Sequence, residues 1–273
     1  VIQDIYPSRL KNEYHNYDIR ETDRLLVFDD DGKILLGEKE GEAVFLSGRD
    51  ICADEAIYLF SLDETRFFLY MGDRHVTGEG SHYYSVREVR ERFLQKDVFV
   101  IFTGYHLWKW YNDNRYCGKC RHSLVVSESE RALICPECKN TIYPRINPAV
   151  IVGVIKGERM LITKYRTGYG HSALVAGFTE IGETLEETVA REVMEETGVS
   201  VKTIRYYRSQ PWGMAQDLLV GFFCEADGDG EIRMDEKELK YAAWVKREDI
   251  ELQPNNLSLT NEMMTVFKEN RLG

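Results

Sequence analysis

No apolar run in the 273-residue chain approaches the ~18 residues needed to cross a bilayer, so a membrane-spanning helix is not expected. The first residues, VIQDIYPSRLKNEYHNY, lack the charged and then apolar regions of a secretory leader, and a cytoplasmic protein is expected. Positive charge is scarce: 35 Lys and Arg face 46 Asp and Glu, a formal net charge of −11. Such a chain repels phosphate backbones, which disfavours wholesale nucleic-acid binding unless a cation or a local basic patch intervenes. The sequence has no G-x-S-x-G elbow, no H-E-x-x-H, no Walker loop and no G-x-G-x-x-G, and its six histidines form no pair at ligand spacing. Internal repeats and low-complexity tracts are missing too. What is present is an ordinary globular composition, 43% hydrophobic and 30% charged, with length enough for two domains.

Four of the six cysteines form two C-x2-C pairs, Cys117/Cys120 and Cys135/Cys138. Without a leader, this arrangement favours metal over disulfides, and the spacing is that of a zinc ribbon, in which two turns present four thiolates tetrahedrally. Gly118 and Pro136-Glu137 fill the turns. Four thiolates leave no open coordination position, so the ion is expected to be structural Zn²⁺, with His122 left at the surface. The neighbouring Lys119, Arg121, Lys139 and Arg145 are locally basic, which fits either a nucleic-acid contact or a solvated surface. Cys52 and Cys224 read as small buried hydrophobes.

Strands are expected at 24–29, 33–37 and 66–71, with Asp31-Gly32 as a hairpin turn, followed by helices at 85–94 and 104–112. Ser85-x-x-Glu88 is a capping box. From Pro148 the pattern becomes strands at 149–155, 159–164 and 173–176, a helix at 184–197, strands at 201–209, 217–226 and 240–245, and a closing helix at 257–270. Strands with an intercalated and a closing helix suggest an α/β sandwich.

Residues 177–199, GFTEIGETLEETVAREVMEETGV, match G-x5-E-x7-R-E-U-x-E-E-x-G-U, with U aliphatic, at every fixed position. Chance agreement at the seven fixed non-aliphatic positions is on the order of one in 10⁷–10⁸ starts. Thr184 and Glu187 form a capping box, and Gly198 ends the helix. At ~100° per residue, Leu185, Val189, Val193 and Ala190 make an apolar stripe, with Glu192, Glu195 and Glu196 in an acidic arc at its edge. Glu192 and Glu196 repel at i,i+4, and all three sit at the helix C-terminus, where the macrodipole disfavours negative charge. A cation should compensate, and Mg²⁺ or Mn²⁺ would suit carboxylate and phosphate oxygens alike.

This segment is the Nudix box, and the chain resembles the Nudix hydrolases, which cleave a nucleoside diphosphate linked to another moiety. The resemblance implies that Glu192, Glu195 and Glu196 bind metal together with the carbonyl of Ala176 and a distant Glu238, while Glu183 and Arg191 orient loop and helix. The reaction implied is hydrolysis of a P–O–P bond.

The cysteine quartet followed by YPRINPAVIV at 143–152 and SQPW at 209–212 is similar to the NADH pyrophosphatases, some of which also remove NAD caps from RNA. That family implies an α+β chain: a smaller degenerate Nudix-like domain at 1–113, a zinc ribbon at 114–143 and a catalytic Nudix α/β/α sandwich at 144–273, acting as a homodimer. Tyr143 and Phe178 match stacking positions for the flat rings of the dinucleotide. Gln210, Pro211, Trp212, Gly213, Met214, Ala215, Gln216 and Asp217 match the substrate loop. Glu130 and Ser258–Thr260, with Thr260, match weaker contacts. The family loop continues SQPW with Pro-Phe-Pro, where this chain has Gly213-Met214-Ala215, so a looser loop with weaker discrimination is expected. ADP-ribose or a dinucleoside polyphosphate as substrate, and a non-catalytic zinc-ribbon binding module, are the competing readings.

Overall fold

Short apolar segments separated by tight turns dominate the N-terminal part of the computed structural model, which describes residues 1–51, 55–168 and 170–271. The expectation for Cys52 lies outside the described residues. Two units are distinguished: Gln3–Arg145 with Trp212–Gln216, and Val1–Ile2 with Ile146–Pro211 and Asp217–Gly273.

In the first unit, β1 (Leu10–Lys11), β2 (Arg24–Leu26), β3 (Ile34–Lys39), β4 (Glu42–Val44), β5 (Leu46–Ser47), β6 (Ala56–Leu62), β7 (Thr65–Tyr70) and β8 (His82–Tyr84) form two sheets. Their orders are β1-β6-β7-β2-β5 and β4-β3-β8. Only the β2–β7 pair is parallel among the described pairings of the five-stranded sheet. Asp31-Gly32 makes the expected turn: Gly32 has φ 77°, and the Asp29 carboxylate accepts from the N–H groups of Asp31 and Lys33. Leu25, Val27, Leu35, Tyr58 and Phe68 form the core of this unit.

Helix α1 (Val86–Arg92) starts at the Ser85–Glu88 capping box as expected. Helix α2 (Gln95–Asp113) begins nine residues before the expected 104. Its N-cap, Leu94, has no side-chain cap, and the stretch Val98–Phe102 is buried throughout, so neither a cap nor an amphipathic period marks the start. Gly104 lets α2 press against Leu26 and Leu59. After α2, β9 (Val125–Val126), β10 (Leu133–Ile134) and β11 (Thr141–Ile142) make a small antiparallel sheet.

The second unit holds β12 (Asn147–Lys156), β13 (Arg159–Tyr165), β14 (Val175–Phe178), α3 (Leu185–Thr197), β15 (Val201–Trp212), β16 (Asp217–Ala226), β17 (Leu239–Lys246) and α4 (Leu259–Lys268). The sheet order is β15-β16-β12-β13-β17, with β14 also on β12. The central β12–β16 pair is parallel from Asn147↔Asp217 to Ile155↔Glu225. Alternation along β12 sorts the core into two layers. Val150, Val152 and Val154 face Val189 and Val193 of α3, while Ile151 packs with Leu259, Met263 and Phe267 of α4. An α/β/α sandwich results. Cys224 is buried in the α3-side layer, and burial pushes its thiol up to about 12.

Candidate metal-dependent active site

The two cysteine pairs of the first unit are held by the same local device. The Cys117 N–H donates to the His122 carbonyl and the Arg121 N–H to the Cys117 carbonyl. The second pair repeats this with Cys135–Asn140 and Lys139–Cys135. Arg121 and Lys139 take the left-handed conformation that closes each knuckle, at φ 67° and 60°. All four sulfurs lie within 4.8 Å of one another, with Cys117–Cys138 at 3.6 Å and Cys120–Cys135 at 3.3 Å. Bonds of ~2.3 Å to a tetrahedral Zn²⁺ put sulfurs ~3.8 Å apart, so a small inward or outward adjustment suffices for an ion at the centre. The N–H groups of Cys120 and Lys119 hold the Cys117 thiol down to about 6, and that of Cys138 lowers Cys135. The quartet can therefore hold a structural metal. His122 is exposed, away from the ligand set.

In the second unit, Thr184 Oγ1 accepts from the Glu187 N–H and Glu187 caps Thr184 in return, fixing the start of α3; Gly198, at φ 70°, ends it. The acidic arc is graded rather than level. The side chain of Glu195 is 61% exposed and that of Glu192 is 13% exposed, whereas Glu196 is buried among the core residues. At ~100° per residue Glu196 lies ~20° from Leu185 on the helical wheel, in the middle of the apolar stripe and not at its edge. Ala190 departs from the expected stripe in the opposite sense: it is exposed, and Thr188 is buried instead.

Arg191 organises the site. It grips Glu183 through Nε at 2.6 Å and Nη2 at 3.0 Å, donates to the Phe178 carbonyl at 2.9 Å, and its Nη1 reaches Glu192 at 2.8 Å and Glu195 at 2.9 Å. Glu183 also accepts from the Glu180 N–H and Thr188 Oγ1, and with Arg191 these contacts hold its carboxyl down to about 2. Glu183 and Arg191 thus tie the 179–184 loop to the helix.

Glu196 receives none of this positive charge. Burial, reinforced by the charges of Glu192 and Glu238, pushes its carboxyl up to about 8. Its described hydrogen-bond partner is Tyr165, whose hydroxyl lies 3.1 Å from Oε1 and accepts from the Ala176 N–H at 3.2 Å. Sequence reasoning missed Tyr165. The pairing of β13 with β17 passes from Lys164↔Tyr241 to Tyr165↔Leu239, and this bulge aims the ring at the site. No sequence signal marks such a slip.

The residues fit a divalent cation. The donors are hard oxygens, Glu196 is buried without a neutralising cation, and Gly177 forms a cradle: a Cβ there would overlap the Glu192 carboxylate. Glu238 is exposed, and its charge adds to the rise of both Glu192 and Glu196.

The remaining expected contacts fall in two groups. Phe178 is 53% exposed beside the cradle, and Thr260 lies in the first turn of α4, capped by Ser258. Gln210 departs from a substrate-contacting role: it is fully buried, its amide donates to the Leu257 carbonyl and its oxygen accepts from the Leu259 N–H, so the side chain is spent on anchoring α4. Asp217 is buried with Oδ1 unpartnered among the described residues, and burial raises its carboxyl to about 6. Pro211 is exposed.

The other group belongs to the first unit. Tyr143 is 57% exposed and donates to Glu130 at 3.1 Å. Trp212 packs edge-on to Phe102 with Arg90 over its ring. Gly213–Ala215 form one 3-10 turn, followed by Gln216, which accepts from Arg145. The glycine has a different reason from the expected looseness: a Cβ on Gly213 would strike the Phe102 carbonyl, so the close approach to α2 requires it.

The acidic helix, its cradle and the sandwich around them define the class. Residues 145–265 match the NUDIX domain family model, so this part of the chain is a Nudix domain. It is 44% identical over 174 residues to the NAD-capped RNA hydrolase NudC of Escherichia coli O1:K1 / APEC, and equally to that of E. coli strain SMS-3-5, an alignment covering 62% of this chain. The chain spans 66% of the length of these relatives, just under two thirds. A crystal structure of a NUDIX hydrolase from Nitrosomonas europaea superposes with a TM-score of 0.49 at 21% identity, covering 57% of this chain and 92% of that one. Among the described residues, no helix is long and apolar enough to cross a membrane.

Proposed function

We propose that the protein hydrolyses the pyrophosphate bond of NADH or NAD⁺ to nicotinamide mononucleotide and AMP, and that NAD-capped RNA is a further substrate. The observation that carries this reading is the acidic face of α3, Glu192, Glu195 and Glu196, with the Glu192 carboxylate against Gly177, in a chain whose relatives are named for NAD-cap hydrolysis. Glu192, Glu195, Glu196, Glu238 and the Ala176 carbonyl would hold Mg²⁺ or Mn²⁺, and Cys117, Cys120, Cys135 and Cys138 would hold Zn²⁺. A bound divalent cation acidifies water and neutralises phosphate oxygens. Water adds to one phosphorus, the bond from that phosphorus to the bridging oxygen breaks, and the water proton passes to the carboxylate cluster. Which carboxylate takes it belongs to the cluster as a whole, since its members titrate together.

The chain's own residues prepare this step. Arg191 bridges Glu183, Glu192 and Glu195 and offsets part of their mutual repulsion, holding three carboxylates beside one another until phosphate and cation arrive. Tyr165 fixes the Glu196 oxygens. Phe178 offers an exposed ring for stacking, and Asp217 an unpartnered buried oxygen. Tyr143, Glu130 and Trp212–Gln216 are retained as substrate contacts on the resemblance alone. So are the homodimer, the cytoplasmic location and the division into a degenerate Nudix-like domain, a ribbon and a catalytic domain.

The test is product analysis with Mg²⁺ or Mn²⁺ on NADH, NAD⁺, ADP-ribose and diadenosine polyphosphates. NADH should give reduced nicotinamide mononucleotide and AMP. A tenfold or greater preference in kcat/KM for ADP-ribose or a dinucleoside polyphosphate defeats the NADH assignment.

A further inference from the structure

Glu238, the glutamate that the resemblance adds to the carboxylates of α3, stands on the turn at 236–238, exposed, just before β17. An exposed turn gives a side chain no packing to fix it, so the place of its carboxylate depends on what holds the backbone beneath. Two elements grip this stretch. The last carbonyls of α3 have no partner inside the helix, and here the Arg233 N–H donates to the Thr197 carbonyl at 2.7 Å and the Asp235 N–H to the Glu196 carbonyl at 2.8 Å. The turn then closes on Asp235, whose carbonyl accepts from the Leu239 N–H at 2.9 Å and whose carboxylate accepts from the Lys237 N–H at 2.8 Å. The second element is Arg166, directly after β13: its N–H donates to the Glu238 carbonyl at 2.9 Å, and its Nε donates to the Glu236 carbonyl. Tyr165 and Arg166 are consecutive, and side chains alternate along a strand. Tyr165 accordingly reaches Glu196, while Arg166 is exposed and reaches the turn. The bulge that aims Tyr165 also sets it opposite Leu239, the residue after Glu238. One strand end thus touches the Glu196 carboxylate and the backbone of Glu238.

We propose that Arg166 is a positioning residue for the divalent-cation site: by holding the Glu236 and Glu238 carbonyls it sets where the Glu238 carboxylate stands relative to Glu196. This role rests on the reading of Glu238 as a cation ligand. Charge and positioning predict opposite signs for its loss. A guanidinium near a cation site repels the cation, so removing it tightens binding if charge alone matters. If it holds a ligand in place, removing it weakens binding.

The experiment is titration of Mn²⁺ into the full chain with its ribbon metal in place, free Mn²⁺ being read by electron paramagnetic resonance without substrate. Glu238→Gln should weaken Mn²⁺ binding at least about tenfold, and Arg166→Ala about tenfold. Arg166 is exposed and the alanine keeps the backbone bond to Glu238, so circular dichroism should not change. In the Glu238→Gln background, Arg166→Ala should cost less than about a further twofold, because the two residues act as one unit. Unchanged or tighter binding by Arg166→Ala overturns the proposal, and so does an equal loss in both backgrounds. If wild type binds no Mn²⁺, or Glu238→Gln binds it like wild type, the proposal falls together with the reading of Glu238 as a ligand. If binding behaves as described while NADH is not hydrolysed, the function proposed above fails and the role of Arg166 stands.

Discussion

The two units share part of a strand plan and differ most at one connection. In the N-terminal unit β2 runs parallel to β7, takes β5 antiparallel on its other side, and β3 pairs with β8; in the C-terminal unit β12 runs parallel to β16, takes β14 antiparallel, and β13 pairs with β17. Between β5 and β6 lie residues 48–55, whereas residues 179–200, between β14 and β15, carry the Glu183 loop and α3. One scaffold thus supports both a unit without an acidic helix and a unit whose chemistry is concentrated in that insertion. The segment Arg87-Glu88-Val89-Arg90-Glu91-Arg92 approximates the R-E-U-x-E-E core of the motif but ends in Arg instead of Glu, and it follows β8 rather than β5, so it does not occupy the inserted position.

The largest effect separates the units by stability. Cys135→Ser should abolish metal binding at the quartet and unfold the ribbon, because binding and local folding are coupled, and elemental analysis should find one zinc per wild-type chain and none in the variant. Zinc missing from freshly purified, reduced wild type contradicts it. Next comes Gly177→Ala, which should displace Glu192 and cut turnover at least tenfold while Tm changes little. An unchanged kcat shows that the cradle is dispensable.

A smaller effect belongs to Gly213. Alanine there should cost ~1–3 kcal/mol through overpacking against the Phe102 carbonyl, measured by denaturant titration. Restoring Pro-Phe-Pro, which sequence alone offers as a way to stiffen the loop and sharpen preference for NADH, meets the same obstacle. A stabilised Gly213→Pro variant refutes the close-packing account.

The smallest effect is on pH dependence. Glu196 titrates near 8 when folded, above the ordinary value of 4.5, so the folded state prefers its proton. That contribution to stability is fully present below pH ~4.5 and is lost as pH rises through about 8. In metal-free protein, Tm should therefore fall from pH 5 to pH 8.5 more steeply in wild type than in Glu196→Gln. Identical slopes remove the buried carboxylate from the account.

The C-terminal unit was legible because its elements carry their own signals: the capping residue Thr184, Gly198 at the helix end, and alternation along 149–155. The N-terminal unit was less so. Strands of two or three residues, such as β1, β4 and β5, are held by pairing rather than propensity, and β6 was missed although its later half is buried throughout. Motif matching found Glu192, Glu195 and Glu196 but not their gradient of burial. It also could not see that Gln210 is consumed by α4, that Gly213 answers to Phe102, or that a bulge delivers Tyr165 to Glu196.

The central claim is that hydrolysis depends on the acidic face of α3. Turnover of NADH with Mn²⁺ should be measured for Glu195→Gln and Glu196→Gln, with circular dichroism to establish that both remain folded. The account predicts at least about a hundredfold loss of kcat in each. Near-wild-type turnover in both folded variants would contradict it.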